Sequence, residues 1–127
     1  MSSIVIAVPS ENPGGLDAPL GAHFGHCDLY TIVAVQDGAI ADVRVVPNVA
    51  HEQGGCLAPV QFLAGKGVQQ LIAGGMGLRP LMGFNQMGIQ VLHGGDARTV
   101  GEAVQSAIAG KLPEFQQMQT CGGCGGH

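Results

Sequence analysis

Charge is scarce in this sequence. Asp, Glu, Lys and Arg make up 11% of its 127 residues, against about 25% in an average globular domain. The five basic residues, Arg44, Lys66, Arg79, Arg98 and Lys111, are scattered and form no run. Nucleic-acid binding draws on a basic stripe that releases counterions, so the pattern argues against a nucleic-acid partner. Aromatic residues are equally sparse: there is no Trp, and Tyr30 is the only Tyr. A base-stacking platform is therefore not available. No apolar run approaches the ~18 residues of a membrane span, so no membrane partner is expected. The amino-terminal Met1-Ser2-Ser3-Ile4 stretch has no positive n-region and too short an apolar run for a signal peptide. The expectation is a cytoplasmic protein, whose cysteines are reduced and open to metal or redox roles.

Catalytic constellations are also missing. There is no G-x-S-x-G elbow, no H-E-x-x-H and no Walker loop. Asp17 and Asp96 stand alone rather than as a carboxylate pair. These absences argue against an enzyme with catalytic residues of its own.

Apolar residues, at 46%, are enough to build a core. The length suits a single domain. Ile4 to Val8 is a continuous β-branched run and reads as a buried strand. Leu29 to Val35 and Ile40 to Val46 flank Asp37-Gly38, a hairpin turn signal. Charged and apolar residues alternate across 42–45, as in a half-exposed strand at a sheet edge. Residues 56–66 have apolar positions at helical spacing and end at Gly67. Leu71 to Ala73 reads as a strand, 78–87 as a helix stopped by Gly88, and Ile89 to Leu92 as a strand. Thr99 and Glu102 match a capping box, ahead of an apolar helix face made by Val100, Ala103, Val104, Ala107 and Ile108. Gly110 ends that helix. The order β-ββ-αβ-αβ-α predicts an α/β fold: three layers, a mixed five-stranded sheet with helices on both faces. The first, third and last buried strands should be parallel, with the hairpin at one side. Residues 1–112 form the expected domain and 113–127 a flexible Gly/Cys/His tail.

In open α/β sheets ligands collect beyond the carboxyl ends of the strands. The loop from Pro9 to about Asp28 lies there and is long for a compact domain. It contains His23-Phe24-Gly25-His26-Cys27. Imidazole and thiolate suit Zn, Cu, Fe and their sulfur clusters, which makes His23, His26 and Cys27 candidate metal ligands. Gly74-Gly75-Met76-Gly77 and His93-Gly94 close two further strands. Gly-rich turns and helix N-termini favour a compact anion, so these six residues are candidate cofactor contacts. His51 and Cys56 read more simply as loop and core residues. Cys121-Gly-Gly-Cys124-Gly-Gly-His127 is a second cluster. A closed zinc site needs four ligands; here three are present. The tail can deliver or cap a cluster, bind Zn or an iron–sulfur species, or form a dithiol–disulfide pair.

Several of these segments together resemble the dinitrogenase iron–molybdenum cofactor biosynthesis family, which includes small nitrogenase cofactor carriers and orange-protein-like chains. The matching residues are Ile4-Val5-Ile6-Ala7-Val8-Pro9, Leu16-Asp17-Ala18-Pro19, His23-Phe24-Gly25, Asp37-Gly38, Ala73-Gly74-Gly75-Met76-Gly77 and Thr99-Val100-Gly101-Glu102-Ala103-Val104. They cover roughly residues 3–112. The resemblance implies a ribonuclease H-like fold without nuclease carboxylates. It implies a molybdenum-containing metal–sulfur cluster, Mo–Fe–S or Mo–Cu–S, as cargo, with His23 as a ligand and Phe24 and Gly25 beside it. It implies a cluster-assembly or recipient protein as partner. At His26-Cys27 the chain departs from the family's usual Arg followed by a small residue, and it adds the Cys/His tail. Two other classes remain open on the sequence: a thiol/disulfide redox or metal-delivery protein acting through Cys121 and Cys124, and an enzyme that binds a small phosphorylated substrate.

Overall fold

A computed structural model describes residues 3–11, 14–20, 29–47, 58–74, 78–94 and 97–114. It contains β1 (Ser3–Ser10), β2 (Leu29–Gln36), β3 (Ala39–Pro47), α1 (Ala58–Gly65), β4 (Gln70–Ala73), α2 (Leu78–Gln86), β5 (Gln90–His93) and α3 (Val100–Ile108). The sheet order is β3-β2-β1-β4-β5. β2 runs antiparallel to β1 and to β3, whereas β1, β4 and β5 are mutually parallel. This is the mixed five-stranded α/β sheet expected from the sequence, with the hairpin at one side.

The period of two along each strand divides the core between the two faces of the sheet. Ala7, Tyr30, Ile32, Leu71, Ala73 and Val91 pack on one face with Val60 and Leu63 of α1 and Leu81 and Phe84 of α2. Ile6, Val8, Val33, Val35, Ile72 and Leu92 pack on the other with Val100, Ala103 and Val104 of α3. Helices therefore cover both faces. No helix among the described residues is long and apolar enough to cross a membrane.

The turns follow from particular residues. Asp37 (φ 53°) and Gly38 (φ 81°) both adopt positive φ, as a two-residue type I′ hairpin requires. Gly67 and Gly88 end their helices in the same way. Each donates to the carbonyl three residues back, and the next residue closes the motif: Val68 N–H bonds the Leu63 carbonyl and Ile89 N–H the Phe84 carbonyl. These are Schellman motifs, which satisfy the last helical carbonyls and bring the flanking apolar side chains together. In both cases those side chains are buried in the same core.

Three details differ from the sequence reading. β3 gains an extra residue, Ala41, where its pairing with β2 shifts register between Ala34 and Val35. Val45, expected inward, is 43% exposed on the edge strand β3. Glu102 does not reach back to Thr99 N–H as a capping box would. Its carboxylate accepts instead from Arg98 N–H at 3.2 Å, while Thr99 Oγ1 accepts from Glu102 N–H.

Residues 113 and 114 continue alongside β5. His93 N–H donates to the Pro113 carbonyl at 2.8 Å, and Glu114 pairs antiparallel with Leu92.

Candidate functional site

The carboxyl edge of the sheet is built around Ser10, the last residue of β1. Ser10 pairs with Leu29 on one side and with Leu20 on the other. Leu20 and Leu29 flank residues 21–28, and two strand spacings put them about 10 Å apart. Leu20 also fixes the relation to β5. A Cβ added to Gly94 would lie 3.2 Å from Leu20 Cδ2 and 3.5 Å from Ile72 Cγ2, so the leucine packs tightly over the glycine and would have to give by a few tenths of an ångström to admit a side chain there. Ala73 at the end of β4 pairs with His93 at the end of β5. Pro47 at the end of β3 pairs with Leu29. β1, β3, β4 and β5 thus end, and β2 begins, at one edge of the sheet.

A buried hydroxyl pair ties this edge together. Ser10 and Thr31 are both fully buried. Ser10 Oγ donates to the Val8 carbonyl at 2.7 Å. Its only proton is then committed, so in the 2.9 Å contact between the two hydroxyls Thr31 donates to Ser10. Thr31 Oγ1 in turn accepts from Gly15 N–H at 3.0 Å. The pair therefore satisfies itself while fastening the 14–20 segment to β1 and β2.

That segment also closes the N-terminus of α3. Val100 N–H donates to the Ala18 carbonyl at 2.9 Å, and Gly101 N–H donates to the Leu16 carbonyl at 2.8 Å. With Thr99 Oγ1 taking Glu102 N–H, the first three helical amides are all engaged. An anion cannot use these donors, although helix N-termini commonly offer them. The tight approach also explains Gly101: a Cβ there would sit 3.1 Å from the Leu16 carbonyl oxygen. Leu16-Asp17-Ala18-Pro19 and Thr99-Val100-Gly101, far apart in sequence, are in direct contact.

Gly14 begins the segment with φ at 79°, and an added Cβ would meet Leu29 Cδ1 at 2.8 Å and Val45 Cγ1 at 2.9 Å. Gly15 also has positive φ (94°) but faces open space. Gly15→Ala should therefore lose only the left-handed backbone term, about 1–2 kcal/mol. Gly14→Ala should lose that and a packing term besides, for a total of about 2–4 kcal/mol. Urea unfolding of the two variants checks the ordering; equal losses would mean that Gly14 does not pack as described.

Among the candidate site residues, Gly74, His93 and Gly94 are described. Gly74 is exposed just past β4. His93 is half-buried at the end of β5. Gly94 is buried and its N–H bonds the Ala73 carbonyl at 2.8 Å. His23, Phe24, Gly25, His26, Cys27, Gly75, Met76, Gly77, Cys121, Cys124 and His127 lie outside the described residues, as do His51 and Cys56. Among the described residues no group of three His, Cys, Asp or Glu side chains could hold a metal. A groove lined by Ile4, Ile6, Val35, Gln70 and Ile108 opens at the opposite, amino edge of the sheet. Its lining includes the Gln70 amide but no charged group, His or Cys that could serve a metal–sulfur anion.

Sequence reasoning missed Ser10, Thr31 and Gly14. A Thr inside Leu29-Tyr30-Thr31-Ile32-Val33 reads as one more β-branched strand residue, and nothing local marks its hydroxyl as a bridge. The positive φ of Gly14 had a weak signal in the Pro13-Gly14-Gly15 run.

Comparison with known proteins agrees with this architecture. The family model described as dinitrogenase iron–molybdenum cofactor matches residues 2–110. An uncharacterised protein of Methanocaldococcus jannaschii is 27% identical over 113 residues, covering 87% of this chain and 91% of its own length. The apo form of the orange protein from Desulfovibrio gigas superposes with a TM-score of 0.73 at 28% identity, over 87% of this chain and 92% of its own. A candidate NifB protein from Thermotoga gives 0.72 at 28% identity, over 89% and 97%.

Proposed function

We propose, from the premise that the chain belongs to the dinitrogenase iron–molybdenum cofactor family, that it binds and carries an anionic metal–sulfur cluster at the carboxyl edge of its sheet. The observation that carries this reading is the gathering of Leu20, Leu29, Gly74 and Gly94 at that edge. In sequence they flank the stretches that hold His23, His26 and Cys27 and Gly75-Met76-Gly77. The cargo is a molybdenum-containing cluster, Mo–Fe–S or Mo–Cu–S, and its two chemical needs differ. The metal takes imidazole or thiolate, which His23 and Cys27 supply. The sulfides take N–H donors, a role this reading gives to the backbone of Gly75-Met76-Gly77. The α3 amides are already engaged, so the donors must come from the turns rather than from that helix.

On this reading the chain performs no chemistry on the cluster. It holds the cluster and passes it to an assembly or recipient protein, and the Cys121/Cys124/His127 tail assists by capping or transfer. Metal and acid-labile sulfide analysis of the full-length protein purified anaerobically tests the proposal. So does titration of the metal-free protein with tetrathiomolybdate and copper(I), or with iron–molybdenum cofactor. Stoichiometric uptake with a sulfide-to-metal charge-transfer absorption is expected. A protein that carries no sulfide and takes up none of these species would refute the proposal.

A further inference from the structure

We propose that Thr31, through its hydroxyl pair with Ser10, is a positioning residue for the ligand-bearing stretch between Leu20 and Leu29. The proposal rests on the cluster-carrier reading for its functional meaning, but its geometry stands apart from it. Ser10 is the one residue that pairs with both anchors of that stretch, Leu29 in β2 and Leu20. Its side chain lies in a chain of three hydrogen bonds: Gly15 N–H to Thr31 Oγ1 (3.0 Å), Thr31 to Ser10 Oγ (2.9 Å), and Ser10 to the Val8 carbonyl (2.7 Å).

Each link is directional. The Val8 carbonyl can only accept and the Gly15 amide can only donate, so the two hydroxyls can satisfy both ends with a single proton order. Both side chains are fully buried, where an unmade bond is costly and a made one is rigid. The network therefore joins β1, β2 and the 14–20 segment at fixed spacing. The 14–20 segment is held in turn by Val100 and Gly101 of α3, and it ends at Leu20. Leu20 and Leu29 are thus set from below by one polar chain, and the candidate ligands His23, His26 and Cys27 are three to seven residues from Leu20 in sequence.

A buried Thr in a central strand needs no hydroxyl for packing. Valine fills the same volume and favours strands. What the hydroxyl adds at this position is its hold on Ser10 and Gly15, and through Gly15 on the 14–20 segment that ends at Leu20.

The test uses the full-length protein and two substitutions. In the metal-free state, Thr31→Val should shift the amide signals of residues 14–29 and the imidazole signals of His23 and His26. It should also speed hydrogen exchange at Gly15 by roughly tenfold or more, the loss of one buried hydrogen bond. Signals from α1 and α2 should stay in place, and Thr31→Ser, which keeps the hydroxyl, should restore the wild-type pattern. Changes spread evenly through the chain, or none in 14–29, would overturn the proposal. Titration with tetrathiomolybdate and copper(I) then separates the two readings. If wild type takes up the probe, Thr31→Val should bind it roughly tenfold more weakly and with an altered absorption spectrum, and Thr31→Ser should recover both. Equal affinity and spectrum in Thr31→Val would overturn the positioning role and leave the carrier reading intact. If wild type takes up no probe, the carrier reading fails, and the metal-free spectra alone decide whether Thr31 positions the stretch.

Discussion

Phe84→Ala is expected to lower unfolding free energy by about 3–5 kcal/mol, the range for removing a buried aromatic ring. Phe84 is fully buried and stands in the core between the sheet and α1. It also does a second job. Its backbone carbonyl accepts Ile89 N–H at 2.9 Å in the Schellman closure of α2, and Ile89 joins it in the same core. Truncating the ring leaves a cavity at the point where α2 turns back into β5. At a urea slope near 1.5 kcal/mol per M, the midpoint should fall by about 2–3 M. Met82, on the same helix, is 43% exposed, and Met82→Ala should change stability by no more than about 0.5 kcal/mol. Comparable losses in the two variants would show that α2 does not pack through Phe84. α2 begins at Leu78, four residues after Gly74 at the carboxyl edge.

The sequence made the elements legible wherever one local cause dominates. Burial on both faces gives the continuous Ile4–Val8 run. A two-residue turn with both φ values positive needs Asp37-Gly38. A helix that must stop in the left-handed region places Gly67, Gly88 and Gly110, all found at φ between 74° and 80°. The α3 face was readable for the same reason, since one stripe of five apolar residues meets one sheet face. Bounds shifted where a local cue misleads. Pro9 reads as a breaker, yet β1 runs on to Ser10. Its pairs with β4 stop at Ala7 while those with β2 continue, so the missing N–H of Pro9 faces no β4 partner.

The candidate ligands could be named from the sequence as residue types, but the edge beside them could not be assembled from it. Gly-rich turns and His/Cys spacing are local and can be read directly. What fixes the edge is not local: Thr31 is 16 residues from Gly15 and 21 from Ser10, and the carbonyls of Leu16 and Ala18 cap a helix more than 80 residues away. Backbone carbonyls leave no mark in a sequence. The nearest visible sign was Gly101, a poor helix former inside a strong helix pattern, which the close approach of Leu16 explains.

His23→Ala is expected to weaken cluster uptake without changing the fold. If the imidazole only donates a hydrogen bond to a sulfide of the anion, the loss is about 1–3 kcal/mol, or roughly 5- to 150-fold in affinity. If it coordinates the metal directly, the loss is larger and the absorption of the bound cluster moves, because one ligand of the metal has changed. The two cases are separable. His23→Gln keeps a side-chain N–H donor but has no imidazole lone pair. It should recover part of the affinity in the first case and little of it in the second. Thermal unfolding of the metal-free variants should match wild type within about 0.5 kcal/mol, as expected for a side chain in a loop. The companion variant, Cys121→Ser with Cys124→Ser, tests the tail. On the carrier reading it retains binding at the sheet edge and loses at most a capping or transfer contribution. Wild-type affinity in His23→Ala together with lost uptake in the tail variant would move the cluster to Cys121, Cys124 and His127. The carboxyl edge would then be a structural junction rather than a binding site.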